Sequence, residues 1–329
     1  MELRPLGRTG ISVSTLGFGC GNVGGLMIRG TPAERERAVT RAMELGVNYF
    51  DTAALYGDGQ SETNLGAALK NLGVRARVYV GTKFRLSPDD LPNAPAAIER
   101  ALEGSLRRLG LSDVDLFQLH NPIGPARDGS KASARDVLDV IVPALQRLQQ
   151  AGKIRFYGIT ALGDTDALRQ VIAAGAVHSA QTVVNLLNPS AARAVPGGFP
   201  AQDFRQLLGT AQAHGTGGIV IRVLAAGALS GTMERHPVAV PAVDPIASGP
   251  DYAADVRRSA AFAALVKDGH AGSLVEASLR FAAGADGVST VLLGYSSLDH
   301  LEAAAAAIAR GPLSAAALDR LDAIWKALA

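Results

Sequence analysis

A closed (β/α)8 barrel, a TIM barrel, is the architecture predicted for this chain of 329 residues. Eight short apolar runs alternate with longer amphipathic segments along nearly its whole length. The runs are rich in Val, Ile, Phe, Tyr and Thr and too short for independent helices, as strands buried on both faces are. We read no G-x-G-x-x-G as opening a helix after the first run, which sets aside a doubly wound sheet, the structural alternative.

The opening residues, ELRPLGRTGISVS, predict a small β-hairpin around Gly7-Arg8-Thr9-Gly10. Barrel strands are expected at TLGFG (15–19), VNYFD (47–51), VYVGTK (78–83) and VDLFQLH (114–120), then at IRFYGIT (154–160), SAQTVVN (179–185), GGIVIRV (217–223) and VSTVLLGY (288–295). Thr31-Pro32-Ala33-Glu34 reads as a helix start, with Thr31 as N-cap, Pro32 in the first turn and Glu34 three residues on. The next segment places Ala38, Ala42 and Leu45 on one face and ends at Gly46. Further helices fit 61–72, 95–109, 133–151, 164–174, 201–213, 272–283 and 297–309. The interval between strands seven and eight is the longest and holds a Pro-rich stretch, HPVAVPAVDPIASGP (236–250), read as a long barrel loop. Extra helices are expected at 253–267 and 314–328. No linker interrupts this pattern, so residues 1–329 are expected to form a single barrel domain.

Composition narrows the function classes. With 48% hydrophobic and 19% charged residues, the chain can bury a large core, which excludes wholesale disorder. Its 32 Lys and Arg against 30 Asp and Glu give no electrostatic case for a nucleic-acid or anionic-membrane partner. The single cysteine, Cys20, cannot form an intramolecular disulfide or a multi-cysteine metal site, and no metal is expected. The N-terminus lacks the apolar core of a signal peptide, and the apolar stretch GGIVIRVLAAGAL is broken by Arg222. A soluble, cytoplasmic protein is expected; nothing in the sequence sets its oligomeric state.

In a barrel of this kind, residues that do chemistry stand at the C-terminal ends of strands. The second strand ends at Asp51, and Tyr56 lies in the loop after it; the third ends at Lys83 and the fourth at His120. Each is the polar terminus of an apolar run. A phenol titrates near about 10, and an adjacent ammonium favours its anion. Asp51 would hold Lys83, and a neutral His120 would orient a carbonyl. Such a set suits a proton moving at oxygen while a hydride attacks carbon, and with no redox metal the hydride must come from an organic cofactor. Each residue has a plainer reading when taken alone: Asp51 as a helix cap, Lys83 as a surface charge, Tyr56 as a packed aromatic, His120 as a structural histidine.

The run GVNYFDTAALYGDGQSE (46–62) resembles the signature segment of the aldo-keto reductases. GTKF (81–84), DLFQLHNP (115–122), GKIRFYGIT (152–160) and GALSG (227–231) are similar to further family motifs, in order along nearly the whole chain. The resemblance implies that Tyr56 is the general acid–base and that Asp51, Lys83 and His120 complete its tetrad. It implies an extended NADPH or NADH across the barrel mouth. It also places Gly19, Cys20 and Gly21 in the first loop beside the cofactor, with Cys20 near the nicotinamide ribose; alone, Cys20 reads as a small apolar filler.

The cofactor positions depart from the family pattern. After strand five, Thr160-Ala161 stands where Ser-Asn is common, so a hydroxyl persists without the amide. Gln181 matches the other carboxamide ligand. After strand seven, Ile221-Arg222-Val223-Leu224 replaces an aromatic platform with an aliphatic one, and Arg222 adds a charge on the path of the diphosphate or ribose, unless it pairs with a barrel carboxylate. Leu224 and Gly227 belong to the same cofactor-facing stretch. After strand eight, Gly294-Tyr295-Ser296-Ser297 leads to His300. Ser296 and His300 occupy positions where Arg is frequent, and phosphate dianions prefer guanidinium or ammonium donors. Relaxed cofactor choice or an NAD preference is implied, although Ser296 and Ser297 also read as caps for the next helix.

The expected function is therefore an NAD(P)-dependent oxidoreductase that interconverts a carbonyl (aldehyde, ketone or aldose) and an alcohol, with a small-molecule carbonyl or sugar substrate. A non-enzymatic or slow-turnover cofactor-binding barrel of the same superfamily is the alternative, and a lyase or isomerase without a redox step is a third reading. In the first loop, Leu26, Met27 and Ile28 would line the pocket and Arg29 would contact an anion.

Overall fold

The computed structural model describes all residues, 1–329. Two short strands, β1 (Leu3–Pro5) and β2 (Ser12–Ser14), pair antiparallel as the expected hairpin. Barrel strands β3 (Leu16–Gly19), β4 (Tyr49–Asp51), β5 (Tyr79–Phe84) and β6 (Val114–Leu119) come next. A small pair, β7 (Ile123–Gly124) and β8 (Ala132–Ser133), precedes β9 (Ile154–Thr160), β10 (Ser179–Val183), β11 (Gly217–Ile221) and β12 (Val288–Gly294). The barrel closes in the order β10-β11-β12-β3-β4-β5-β6-β9, and every pairing is parallel. All eight C-terminal ends therefore share one rim.

The helical ring begins with α1 (Leu26–Arg29), α2 (Pro32–Glu44), α3 (Gln60–Leu72) and α4 (Ala94–Leu109). Thr31 and Glu34 form the expected capping box at the start of α2. After β8, α5 (Ala134–Asp136), a π-helical turn (Val137–Ile141) and α6 (Val142–Gln150) replace the single expected helix. Pro143, which has no backbone N–H to donate, stands just beyond this turn, inside what the sequence presents as one helix. Next come α7 (Thr165–Ala173) and α8 (Leu207–Ala213). The latter is shorter than the expected 201–213, because Arg205 and Gln206 take left-handed backbone, φ 48° and 56°, and start the helix late. The remaining helices are α9 (Tyr252–Ser259), α10 (Ala263–Lys267), α11 (Leu274–Ala283), α12 (Leu298–Ala309) and α13 (Ala315–Leu328). None is long and apolar enough to cross a membrane.

Gly19, Gly21 and Gly24 do stand in G-x-G-x-x-G spacing at the end of β3, which corrects the sequence reading. They lead only into the four-residue turn α1, and the closed barrel excludes a doubly wound sheet. The spacing serves close packing instead: a Cβ at Gly24 would overlap the backbone of Tyr295.

The hairpin closes the opposite end of the barrel. Its Leu6, Ile11 and Val13 form one apolar cluster with the strand residues Tyr49, Leu116, Ile219 and Leu292. Burying each aliphatic side chain stabilises by about 1.5–3 kcal/mol. The Arg8 N–H donates to the Gly215 carbonyl at 2.9 Å, and a Cβ on Gly217 would collide with Leu6. A second cluster of 82 buried residues fills the layer between strands and helices. The C-terminal rim is the face left for chemistry.

Candidate active site

Three consecutive strands, β4, β5 and β6, carry Asp51, Lys83 and, one residue past the last, His120 to that rim. Lys83 lies opposite Gln118, and Asp51 opposite Gly81. The Lys83 side chain is 0% exposed. Its Nζ pairs with Asp51 Oδ1, donates to the Thr52 carbonyl at 2.8 Å and donates to the Tyr56 hydroxyl at 3.2 Å. All three ammonium protons thus have acceptors. Burial alone pulls the Lys83 pKa down, but the charges of Asp51 and Tyr56 outweigh it and hold the value above the ordinary one. Lys83 is therefore charged throughout the neutral range.

Asp51 is held just as firmly. Its Oδ2 accepts from Gln181 Nε2 at 2.6 Å, from the Tyr49 hydroxyl at 3.1 Å and from Gln118 Nε2 at 3.4 Å. Burial, followed by the Asp51 charge, drives the Tyr49 pKa well up, so that phenol stays a donor. Gly81 makes room for it, since a Cβ there would overlap the Tyr49 hydroxyl. The sequence reading missed Tyr49 and Gln118. The available signal was a polar side chain at an inward position of an otherwise apolar strand.

Tyr56 comes from the turn after β4, where its N–H donates to the Ala53 carbonyl at 3.1 Å. The ring sits 4.8 Å from Lys83 Nζ and meets His120 edge-on at 5.8 Å between centroids. A Cβ on Gly21 would come within 3.5 Å of it, so the first loop packs along its other side. Burial, with Lys83 and Arg85 nearby, pulls the His120 pKa down to about 3, which makes the imidazole neutral. Its Nδ1 is buried without a partner. A phenol, a fixed ammonium and a neutral imidazole thus surround one point on the rim. That arrangement can give a proton to, or take one from, a ligand oxygen.

The remaining rim positions divide. Thr160 Oγ1, at the end of β9, is buried and has no partner. Arg222 follows β11 with left-handed backbone at φ 59°, as do Ala225 and Ala226 at 45° and 59°, a conformation costing roughly 1–3 kcal/mol at a non-glycine residue. Arg222 makes no ion pair with a barrel carboxylate; its Nη1 donates to the Asp244 carbonyl at 3.2 Å. Leu224 is half-buried and Gly227 lies in the kinked segment Ala225–Ser230. Gly19 ends β3 and Gly294 ends β12, paired with each other across the barrel seam.

Several side chains expected at the cofactor turn elsewhere. Gln181 gives its amide to Asp51, because strand register aims it at the buried carboxylate. Cys20 is 1% exposed, with Sγ 3.9 Å from the Phe18 carbonyl. The Tyr295 ring packs against Phe18 at 4.8 Å, leaving only its backbone at the rim. Ser296 is buried and donates to the Gly24 carbonyl at 2.7 Å, whereas Ser297 alone caps α12, accepting from the His300 N–H at 3.3 Å. The His300 ring faces His236 of the Pro-rich loop at 5.8 Å. Arg29 does not point at an open anion site but ties two loops together, through Val238 and Asn22 carbonyls at 2.6 and 2.8 Å.

A nicotinamide dinucleotide fits what this rim lacks. The unpartnered Thr160 hydroxyl offers a hydrogen bond to a carboxamide, and the Arg222 guanidinium offers charge to a phosphate. The Aldo/keto reductase family model matches residues 15–326. The chain belongs to the aldo/keto reductase family. Its backbone aligns over 98% of its length with 96% of aldo-keto reductase AKR11C1 from Bacillus halodurans, at a TM-score of 0.73 and 26% identity, in the holo form of that protein. L-galactose dehydrogenase from Arabidopsis thaliana is 38% identical over 165 residues, 49% of each chain. Aldo-keto reductase yakc [NADP(+)] from Schizosaccharomyces pombe is 30% identical over 155 residues, 45% of this chain and 43% of that protein. The chain thus spans about half the length of the curated relatives it matches. Oxidoreductase chemistry with a nicotinamide cofactor is the family's activity.

Proposed function

We propose that this aldo/keto reductase, acting as a single barrel domain, interconverts a small carbonyl compound and its alcohol with Tyr56 as the proton donor and acceptor. The observation that carries this reading is the Asp51–Lys83–Tyr56 hydrogen-bonded chain at the rim. When bound, the reduced nicotinamide supplies a hydride to the carbonyl carbon. The Tyr56 hydroxyl gives its proton to the carbonyl oxygen, and the phenolate left behind faces the Lys83 ammonium, which stabilises it. Asp51 keeps Lys83 charged and fixed. Neutral His120, whose side chain lies beside Tyr56, orients the substrate oxygen. In the oxidative direction the same groups act in reverse, and Tyr56 takes the alcohol proton.

Thr160 is proposed to hold the carboxamide, with Gly19, Gly21, Leu224, Gly227 and Gly294 shaping the cofactor channel. Two relatives bear on the finer reading. One is named a sugar dehydrogenase and one an NADP(+) enzyme, which supports aldoses among the substrates and NADP among the cofactors. The test is a paired titration with NADH and NADPH, then a panel of aldehydes, ketones and aldoses read at the nicotinamide absorbance. Turnover of at least one panel member supports the proposal. Tight cofactor retention with no turnover of any member supports the regulatory barrel instead.

A further inference from the structure

Tyr49 belongs to the Asp51 cluster, yet the proposed proton path leaves it idle. It stands two residues before Asp51 on β4, on the same face of the strand. Tyr49 is 1% exposed, and its ring joins the apolar cluster of Leu6, Ile11, Val13, Leu116, Ile219 and Leu292 beneath the rim. Glycines on the two flanking strands make its slot. A Cβ on Gly17 of β3 would come within 3.3 Å of the ring, and one on Gly81 of β5 would overlap the hydroxyl. Phenylalanine would fill the same slot without a polar atom to bury, so packing alone gives no reason for the hydroxyl. That hydroxyl has one partner, the Asp51 carboxylate, to which it donates at 3.1 Å.

The bond falls on the group that sets the charge balance of the site. Asp51 Oδ1 holds Lys83, while Oδ2 takes Tyr49, Gln118 and Gln181. Each donor to Oδ2 draws negative charge away from Oδ1, and hydrogen bonds to an ionised group inside a protein are strong enough to matter there. With the Tyr49 donor in place, the carboxylate cancels less of the ammonium. More of that cation then faces the Tyr56 hydroxyl, 3.2 Å away. Tyr49 remains a donor because burial, followed by the Asp51 charge, raises its pKa well above the ordinary value. Four other titratable or charged groups surround these residues. Asp115 acts on Tyr49 and is itself paired with Arg75 and Arg155. Burial pushes the Cys20 thiol up, His120 is neutral, and Arg222 acts on Tyr56. None of the four bonds to the Tyr49 hydroxyl.

We infer that Tyr49 is a positioning residue for the reaction at Tyr56: its hydroxyl, held on Asp51 by the Gly17–Gly81 slot, sets how much of the Lys83 charge is left to stabilise a phenolate. The inference rests on the proposed acid–base role of Tyr56 and deepens it. Without the Tyr49 donor, Asp51 claims more of the ammonium, and a phenolate at Tyr56 becomes harder to form. A proton passing from Lys83 to the more basic carboxylate would act in the same direction, since it removes the cation outright.

The test uses the full chain with Tyr49→Phe, Gly81→Ala and the double variant. Gly81→Ala displaces the hydroxyl from Asp51 without removing any polar group, because the new Cβ takes its place. One arm follows ionisation of Tyr56 by NMR of isotope-labelled tyrosine, its resonance assigned by its loss in Tyr56→Phe. The other follows kcat for alcohol oxidation against pH, using the alcohol of the carbonyl that the wild type reduces fastest. In Tyr49→Phe both midpoints should move up by about half a pH unit or more, with NADPH affinity near wild type. Gly81→Ala should move them in the same direction. The double variant should move them no further than Tyr49→Phe, since the two changes break one bond. Unmoved midpoints in Tyr49→Phe overturn the inference, and so does a Gly81→Ala shift that adds in full to it. If Tyr49→Phe yields no folded protein, Gly81→Ala decides alone: an upward shift supports the inference and an unmoved midpoint overturns it. The NMR arm needs no turnover, so a failure of the acid–base reading itself would show separately, as wild-type carbonyl reduction by Tyr56→Phe.

Discussion

The rim has two arcs built on opposite terms. Along β4 to β6 the Asp51–Lys83 pair is matched internally: Lys83 has three acceptors, and Asp51 has donors on both oxygens, while His120 Nδ1 alone stands without a partner. Along β9 to β12 two groups are not matched: Thr160 Oγ1 has no partner, and Arg222 has no carboxylate. The contrast separates two jobs. Groups that steer a proton gain from being fixed before the ligand arrives, because preorganised dipoles need no rearrangement during reaction. Groups that grip a ligand need hydrogen-bonding capacity still open. The first arc therefore contributes to stability, whereas the second draws on it.

The largest expected effect is in the first arc. Tyr56→Phe removes one hydroxyl that accepts from Lys83 and leaves the second arc untouched. Carbonyl reduction should fall about 10²–10⁴-fold, with NADPH and NADH affinities near wild type by fluorescence titration. Turnover close to wild type would remove Tyr56 from the mechanism.

Lys83→Met should come next, and it sharpens the comparison because it takes a cation from the matched arc. Breaking a buried ion pair leaves the Asp51 carboxylate uncompensated, a loss of about 3–5 kcal/mol, so the unfolding temperature should drop. The wild-type sign follows from the raised Lys83 pKa. The stabilisation is fully present below the ordinary value of 10.5 and is lost as pH rises through the higher folded one. In the proposed mechanism Tyr56 takes the alcohol proton while facing the Lys83 ammonium, so the rate–pH profile of alcohol oxidation should move to higher pH once that charge is removed. His120, with a pKa near 3, stays neutral across that range and does not contribute the shift. An unmoved profile would contradict the electrostatic role of Lys83.

The two arcs also differ in how much of them was legible in the sequence. Asp51, Lys83 and His120 are polar termini of apolar runs, and a parallel barrel sends strand termini to one rim, so pattern and topology together place them. Side-chain direction inside a strand is harder to read from letters. Gln181 looked like a cofactor ligand, yet its amide belongs to Asp51, and Tyr49 was hidden as one more apolar-run aromatic. The loops after β11 and β12 were least legible. Nothing in Ile221-Arg222-Val223-Leu224 announces a left-handed arginine, because strain of that kind is imposed by partners such as Asn185 far away in sequence. Ser296 and Ser297 look equivalent as neighbouring letters, but one faces inward and one caps a helix.

That last difference yields the smallest expected effect and reverses a reading based on sequence alone. With Ser296 taken as the position of a phosphate-gripping arginine, Ser296→Arg would tighten NADPH binding selectively. The geometry argues otherwise. Ser296 is 7% exposed, its hydroxyl donates to the Gly24 carbonyl, and Gly24 packs so closely on Tyr295 that no Cβ fits between them. An arginine there must push the first loop outward or bury its charge, and overpacking of this kind typically costs about 1–3 kcal/mol. The displaced loop carries Gly21, which lies along the Tyr56 ring, so the disturbance reaches the first arc. We expect a lower unfolding temperature and a similar, modest weakening of NADH and NADPH binding in Ser296→Arg. His300→Arg is the contrasting change. His300 is exposed on the first turn of α12, so a guanidinium there meets solvent and any phosphate nearby without repacking the loop. If Ser296→Arg unfolds at the wild-type temperature and tightens NADPH alone, the inward-facing role of Ser296 is wrong, and the second arc extends one strand further round the rim.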